Sequence, residues 1–216
     1  MPGAAARRGR RRVSGLLELR QGLYRWTAAH PEAVIDPKPG SAADWGPHVG
    51  WVAYAAPGAL VLVDPLVPPD RGDVQEELDA LVRRHGQRVA ILTTLQFHTR
   101  SREELAARYR GSTSRAKKTL PQDVETVPIR GAGETMVWLP EHRTLIPGDR
   151  LIGNEDGGLR LCPDSWLRYL PSGMGRPELR EALQPLLDFP VEMVLVSHGE
   201  PVLTGGRHAL VHAIGT

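Results

Sequence analysis

Runs that are apolar at nearly every position constrain this chain most. Ala59-Leu-Val-Leu-Val63, Val89-Ala-Ile-Leu92 and Val191-Glu-Met-Val-Leu-Val196 leave almost nothing polar to place in water. Strands of this kind are buried on both faces, so the sheet they form lies in the interior. Each run stops abruptly at polar residues. The first meets Asp64-Pro65, the second runs through Thr93 into Thr94-Leu-Gln96-Phe-His98-Thr99, and the third meets Ser197-His198-Gly199. A shorter strand, Thr144-Leu-Ile146, leads likewise into Pro147-Gly148-Asp149. Polar loops mounted on the ends of buried strands are where ligands and catalysis usually collect.

Strand and helix signals fill the intervals. Leu16 to Arg20 and Gly22 to Trp26 read as two short strands about a turn at Gln21-Gly22. Residues 30–47 hold Pro31, Pro37, Pro39, Gly40, Gly46 and Pro47, which excludes a regular element and predicts a long loop ending near Trp45 and His48. Pro57-Gly58 closes a hairpin running from Val49 to Asp64. Val74, Leu78, Leu81 and Val82 make one stripe of a helix over 74–85, and a strand at 88–93 follows it, so strand, helix and strand predict a parallel pair. The remainder reads as a helix over 102–109, a basic loop over 111–118, strands at 124–128, 134–139 and 144–146, and a Gly-rich loop over 153–165. A helix over 177–187, the strand 191–196 and a helix over 206–214 close the chain.

At 216 residues and 41% hydrophobic content, one substantial core is expected rather than two. The formal charge of +2 conceals an uneven distribution. Arg7, Arg8, Arg10, Arg11 and Arg12 supply five of the 27 basic residues, and without them 22 bases face 25 acids. The body is thus mildly acidic and offers no electrostatic footprint for nucleic acid. Residues 1–15 lack periodic apolar positions and are expected to form a disordered basic tail, either a plain solvated extension or a tether to an acidic partner. No run approaches the length of a membrane span. Cys162 is the sole cysteine, so an intramolecular disulfide is excluded and a reducing, cytoplasmic location is expected.

Taken singly, His98, His198, Asp64 and Asp149 have ordinary uses as hydrogen-bonded loop residues and turn caps. Several such strand ends converging on one edge are harder to assign to turns alone. Trp51 and Trp138 read as core, whereas Trp45 and Trp166 lie on loops and are the better pocket candidates. Arg100 and Arg102 stand beside the 94–99 loop, either as binders of an anionic substrate group or as solvated residues at a helix start. His30, His48, His142, His208 and His212 show no ligand-like spacing, and only His48 is placed to approach the strand ends.

The pieces Leu60-Val-Leu-Val-Asp64, Gly133-Glu-Thr-Met-Val-Trp-Leu-Pro-Glu141 with Gly148-Asp149, and Ser197-His198-Gly199 occur in an order that resembles the metallo-β-lactamase-fold hydrolases, a superfamily that includes glyoxalase II-like thioesterases. The resemblance covers about residue 16 to the C-terminus and implies one α/β domain over 16–216, an αββα sandwich with a metal site along one edge. The metal motif departs from the family. Its Thr-His-x-His-x-Asp-His segment stands here as Thr93-Thr94-Leu95-Gln96-Phe97-His98-Thr99, and the family's next histidine aligns with Arg130. By resemblance the first metal site has lost its three histidines, to Thr94, Gln96 and Arg130. The second retains possible ligands in His98, Asp149 and His198.

What the resemblance implies is therefore a divergent hydrolase of small esters or thioesters, with at most one metal ion, zinc or else iron or manganese, at a residual His/Asp/His site. His98, Asp149 and Arg130 would carry the chemistry. Arg130 would pair with Asp149 or stabilise a developing oxyanion, and Asp64, Thr94, Gln96 and Thr99 would support the ligands from behind. The alternative is a pseudoenzyme, a metal-free protein that keeps the fold and binds a small ligand in the former cleft. Either way the expected partner is a small molecule, with neither nucleic acid nor membrane, and oligomeric state is left open.

Overall fold

The computed structural model describes residues 15–85, 88–113 and 120–215. The basic tail expected over 1–15 lies almost wholly outside these residues, as does most of the basic stretch after Ser112. Two hairpins open the chain. β1 (Leu17–Arg20) and β2 (Leu23–Ala29) are antiparallel, as are β3 (His48–Ala56) and β4 (Ala59–Val63), with Gly22 and Gly58 at positive φ in the two turns. Helix α1 (Gly72–His85) then carries the chain to β5 (Arg88–Leu92), which lies parallel to β4 as the strand, helix, strand order predicts. After α2 (Arg102–Tyr109), the short β6 (Ser112–Thr113) completes a sheet in the order β1 to β6.

The second sheet is built from β7 (Glu125–Ile129), β8 (Glu134–Leu139), β9 (Thr144–Ile146) and β12 (Met193–Val194), in the order β12-β9-β8-β7. Between β9 and β12 lie a separate hairpin of β10 (Leu151–Gly153) and β11 (Leu159–Leu161), the short α3 (Asp164–Leu167) and α4 (Arg176–Leu183). Helix α5 (Gly206–Gly215) ends the fold. Three expectations need correction. The Gly-rich segment after 153 contains a strand of the β10–β11 hairpin. The helix expected over 177–187 changes to a tighter 3-10 turn at Gln184–Asp188, where Pro185 removes an amide donor. The strand expected over 191–196 pairs as a strand only at Met193–Val194, because Val191 and Glu192 before it bond to Phe189 and Arg143 instead.

Alternation within the apolar runs explains the layers. Leu60, Leu62 and Ile91 face α1 and α2, packing with Val74, Leu78, Leu81 and Leu105. Val61, Val63, Ala90 and Leu92 face the other sheet and meet Val137, Leu139, Ile146 and Leu195. The far side of the second sheet, with Met136, Trp138, Leu145 and Val194, is covered by Leu179, Leu183, Leu210 and Ile214 from α4 and α5. Both sheets are therefore apolar on both faces, and the result is an αββα sandwich. No described helix is long and apolar enough to cross a membrane.

Candidate metal centre

β4 and β5 run parallel in the first sheet, β9 and β12 run parallel in the second, and all four end at one edge. The two sheets are joined there, since Thr135 N donates to Thr94 O at 2.8 Å. Four polar strand ends thus become one cluster. His98 Nε2 lies 3.1 Å from Asp149 Oδ1, and His198 Nε2 lies 3.3 Å from the same oxygen. All three residues are buried, and their nearest ligand atoms lie within 4.8 Å of one another. No carboxylate or imidazole crowds in by accident here; the backbone is shaped for it. Gly148 is required before Asp149, because a Cβ there would sit 2.6 Å from the Thr94 hydroxyl. Gly199 is required after His198, at φ +79°, where a Cβ would fall 2.2 Å from the Gly153 carbonyl oxygen.

His98 is held from behind. Its Nδ1 is 2.9 Å from Asp64 Oδ2, and Asp64 in turn accepts the Thr94 amide at 2.8 Å and the Thr94 hydroxyl. With Nδ1–H given to Asp64, the neutral imidazole directs its Nε2 lone pair toward Asp149 and the cleft. Asp64 itself adopts a left-handed backbone, φ 48°, an uncommon conformation for a non-glycine residue that here coincides with a structural role at the site. Arg100, also at positive φ, ties three segments together: it donates to Asp64 O at 2.9 Å, to Ser197 Oγ at 2.7 Å and, more weakly, to Gly50 O at 3.4 Å. The His98 and His198 loops are thereby clamped to each other through one guanidinium.

Charge in the cluster is strongly coupled. Burial depresses the His98 imidazole, but Asp149 and Asp64 outweigh it and push it up to about 9 in the ion-free protein. Burial raises Asp149, yet His98 and His198 hold it well below the usual carboxylate range. Asp64 is likewise drawn below its ordinary value, against burial, by His98, Arg100 and Thr94. Beneath them Glu134 accepts the amides of Gly148, Asp149 and Arg150 at 2.9 to 3.0 Å, which fixes the Asp149 turn. Burial lifts the Glu134 carboxyl to about 7 despite the nearby Arg150.

The donor set fits a metal ion. Asp149 Oδ1 is buried and has no hydrogen bond, although two imidazole nitrogens point at it from hydrogen-bonding distance. Two nitrogen donors that converge on a buried carboxylate oxygen without bonding to it form a donor set suited to a metal ion. His98 Nε2, His198 Nε2 and an Asp149 oxygen would hold it. His198 Nδ1 is also buried without a partner, so hydrogen bonding does not set that ring. Trp45 and Trp166 do, each packing edgewise against it with centroids 5.3 Å apart.

Other expected residues are sorted differently. Thr94 is buried beside Asp64, whereas Gln96 and Thr99 are exposed and support nothing behind the ligands. Arg130 is exposed at the end of β7, and the ion pair expected with Asp149 does not form among the described contacts; both partners of Asp149 are histidines. The guanidinium whose charge reaches Asp149 is instead Arg100, which is spent on backbone and Ser197 rather than offered to substrate. Arg102 pairs with Glu103 at the surface. His48 is exposed at the start of β3, while His30, packed on Trp45 at 5.2 Å, is the histidine that feels His98 and His198. Trp51 is core, stacked on Trp26 at 4.2 Å, and Trp138 is core beside Phe189. Cys162 is a buried free thiol that burial pushes up to about 11, which makes it inert.

No family profile matches this chain, and no curated protein matches it in sequence. Solved structures do match in shape. TMB-1 superposes with a TM-score of 0.60 at 14% identity, over 93% of this chain and 94% of its own. The metallo-β-lactamase DIM-1 gives 0.59 at 13% identity over the same shares. An NDM_FIM-1 like metallo-β-lactamase from Erythrobacter litoralis, in its mono-zinc form, gives 0.59 at 17% identity, again over 93% and 94%. Layer order, strand-end cluster and superposition agree: this chain has the metallo-β-lactamase fold.

Proposed function

We propose that the protein is a hydrolase of small esters or thioesters that works with a single metal ion held by His98, Asp149 and His198. The observation that carries this reading is the buried Asp149 oxygen, flanked at 3.1 and 3.3 Å by two imidazole nitrogens and bonded to neither. A bound divalent ion would polarise a carbonyl and lower the pKa of a coordinated water toward neutrality. The chain's own residues prepare the site for it. Asp64 and Thr94 fix the His98 ring, Glu134 fixes the Asp149 turn, and Arg100 keeps the two histidine loops in register. Trp45 and Trp166 shield His198, and Phe97, half exposed and edge-on to His98 at 5.3 Å, offers apolar surface to an acyl group. The oxyanion role expected for Arg130 gains no support from its exposed position and is left out of this proposal.

Metal content decides it. Protein purified without a histidine tag should contain about one zinc, iron or manganese per chain by elemental mass spectrometry, lost in His198→Ala. Turnover of an ester and thioester panel should disappear in both His98→Ala and His198→Ala. A chain that takes up no ion even after metal is added back would overturn the hydrolytic reading. A second reading then stands on a specific observation: His98 lies between Asp64 and Asp149 at 2.9 and 3.1 Å, so its protonated form places a positive charge between the two carboxylates without an ion. Under that reading the cleft binds a small ligand and performs no hydrolysis.

A further inference from the structure

Two indoles flank the buried His198 ring, and they are held in place by different means. Trp166 is anchored by a hydrogen bond, its Nε1 donating to Ala42 O at 3.1 Å. Trp45 has no such bond among the described contacts. Its ring meets His30 instead, edge to face, with centroids 5.2 Å apart and planes 88° from each other. The same indole meets His198 at 5.3 Å and 70°, so His30, Trp45 and His198 form a row of three steeply crossed rings. Contacts of this kind set direction as well as distance, because the edge and the face of an aromatic ring carry opposite partial charges. His198 depends on them, since its Nδ1 is buried without a partner and no hydrogen bond turns the ring.

His30 is itself firmly placed. Its backbone closes the base of the 30–47 loop: His30 N donates to Pro47 O at 2.8 Å, and His30 O accepts from Ala33 N at 3.0 Å. The ring is fixed separately, because its Nδ1 accepts the Glu32 amide at 3.2 Å. An accepting Nδ1 carries no proton, and the surroundings favour that neutral ring. Burial and then the Arg100 guanidinium hold the imidazole below its ordinary value, with His198 and His98 adding to them against the opposing Glu32 carboxylate. We propose that His30 is a positioning residue of the metal centre, whose ring holds Trp45 against His198 and so keeps the His198 Nε2 turned toward Asp149. The inference rests on the reading of His98, Asp149 and His198 as metal ligands, and adds to them a residue that does not itself hold the ion.

Two variants separate the ring from its hydrogen bond. His30→Phe keeps an aromatic ring against Trp45 and loses the Nδ1 acceptor, whereas His30→Asn keeps an acceptor for the Glu32 amide and loses the ring. Both retain the backbone bonds that close the loop. In ion-free protein the His198 ring protons are displaced by the Trp45 ring current. Their nuclear magnetic resonance signals should move toward ordinary histidine positions in His30→Asn and stay near the native ones in His30→Phe. Zinc affinity, measured by competition with a chelator, should fall about three- to tenfold in His30→Asn and recover in His30→Phe. In a Trp45→Leu background His30→Asn should add nothing to either readout, because the ring acts through the indole. His198 signals unmoved by His30→Asn, an unchanged zinc affinity, or a full further loss in the Trp45→Leu background would overturn the proposal. Equal losses in His30→Phe and His30→Asn would mark a general loosening of the loop and refute it too. If the native chain takes up no zinc while the His198 signals still respond to His30→Asn, the metal reading has failed and the positioning of His198 stands.

Discussion

His98 is buried between two carboxylates, and its surroundings suit it to serve as a metal ligand. A histidine ligand is effective when its far nitrogen is anchored to a carboxylate, and Asp64 supplies this at 2.9 Å. Asp64→Asn should retain the Thr94 amide bond yet lose the charge that aligns the ring. Metal affinity, measured by competition with a chelator, should fall on the order of 10- to 100-fold. An unaltered affinity would show that Asp64 serves the backbone alone. The sequence shows Asp64, Asp149, His98 and His198 as polar stops on apolar strands, which is enough to nominate them. It does not show the role of Arg100. A guanidinium after a polar loop reads as solvated, and only the folded chain reveals that it reaches both Asp64 and Ser197, the latter 97 positions beyond Arg100 itself.

At the scale of elements, legibility follows length and neighbours. The β4 strand is plain in the sequence because five consecutive apolar residues admit one use, burial on both faces. β10 and β11 are hidden because each has three residues and a turn of Gly and Asp dominates the window between them. β12 is shorter than its apolar run because Val191 and Glu192 bond to Phe189 and Arg143 outside β9, and the ladder ends with the bond from Leu195 N to Leu145 O. The tightest fit is the one between the β10 end and the His198 turn. Gly199→Ala should cost about 2 kcal/mol or more, since it adds both left-handed strain and a clash with Gly153. Thermal unfolding reads that cost, and metal affinity should fall with it because the His198 carbonyl is held by Gly153 N. Arg100→Met should cost about 2–4 kcal/mol by leaving the Asp64 carbonyl and Ser197 hydroxyl without their donor.

Across the whole molecule the proposed metal centre bridges the two sheets, because His98 follows β5 whereas Asp149 and His198 follow β9 and β12. An ion there should raise unfolding stability by about 4 kcal/mol when present at a thousandfold excess over its dissociation constant. Acidity should separate the two states of the protein. In the ion-free chain His98 sits near 9, above its ordinary 6.5, so its contribution of about 3 kcal/mol is complete below 6.5 and is lost as pH rises through 9. Asp64 and Asp149 are depressed, so their contributions hold above the ordinary 3.8 and vanish on acidification. Ion-free protein should therefore weaken more steeply from pH 6.5 to 9 than loaded protein, whose imidazoles the ion already holds in the neutral form. Denaturant midpoints across that range, with and without chelator, check the difference. Trp45 and Trp166 lean on His198 from two sides at 5.3 Å. Indole emission responds to the charge and electronic character of what it touches, so the centre comes with built-in fluorophores, and a paramagnetic ion arriving at His198 should dim them in real time on an unlabelled chain.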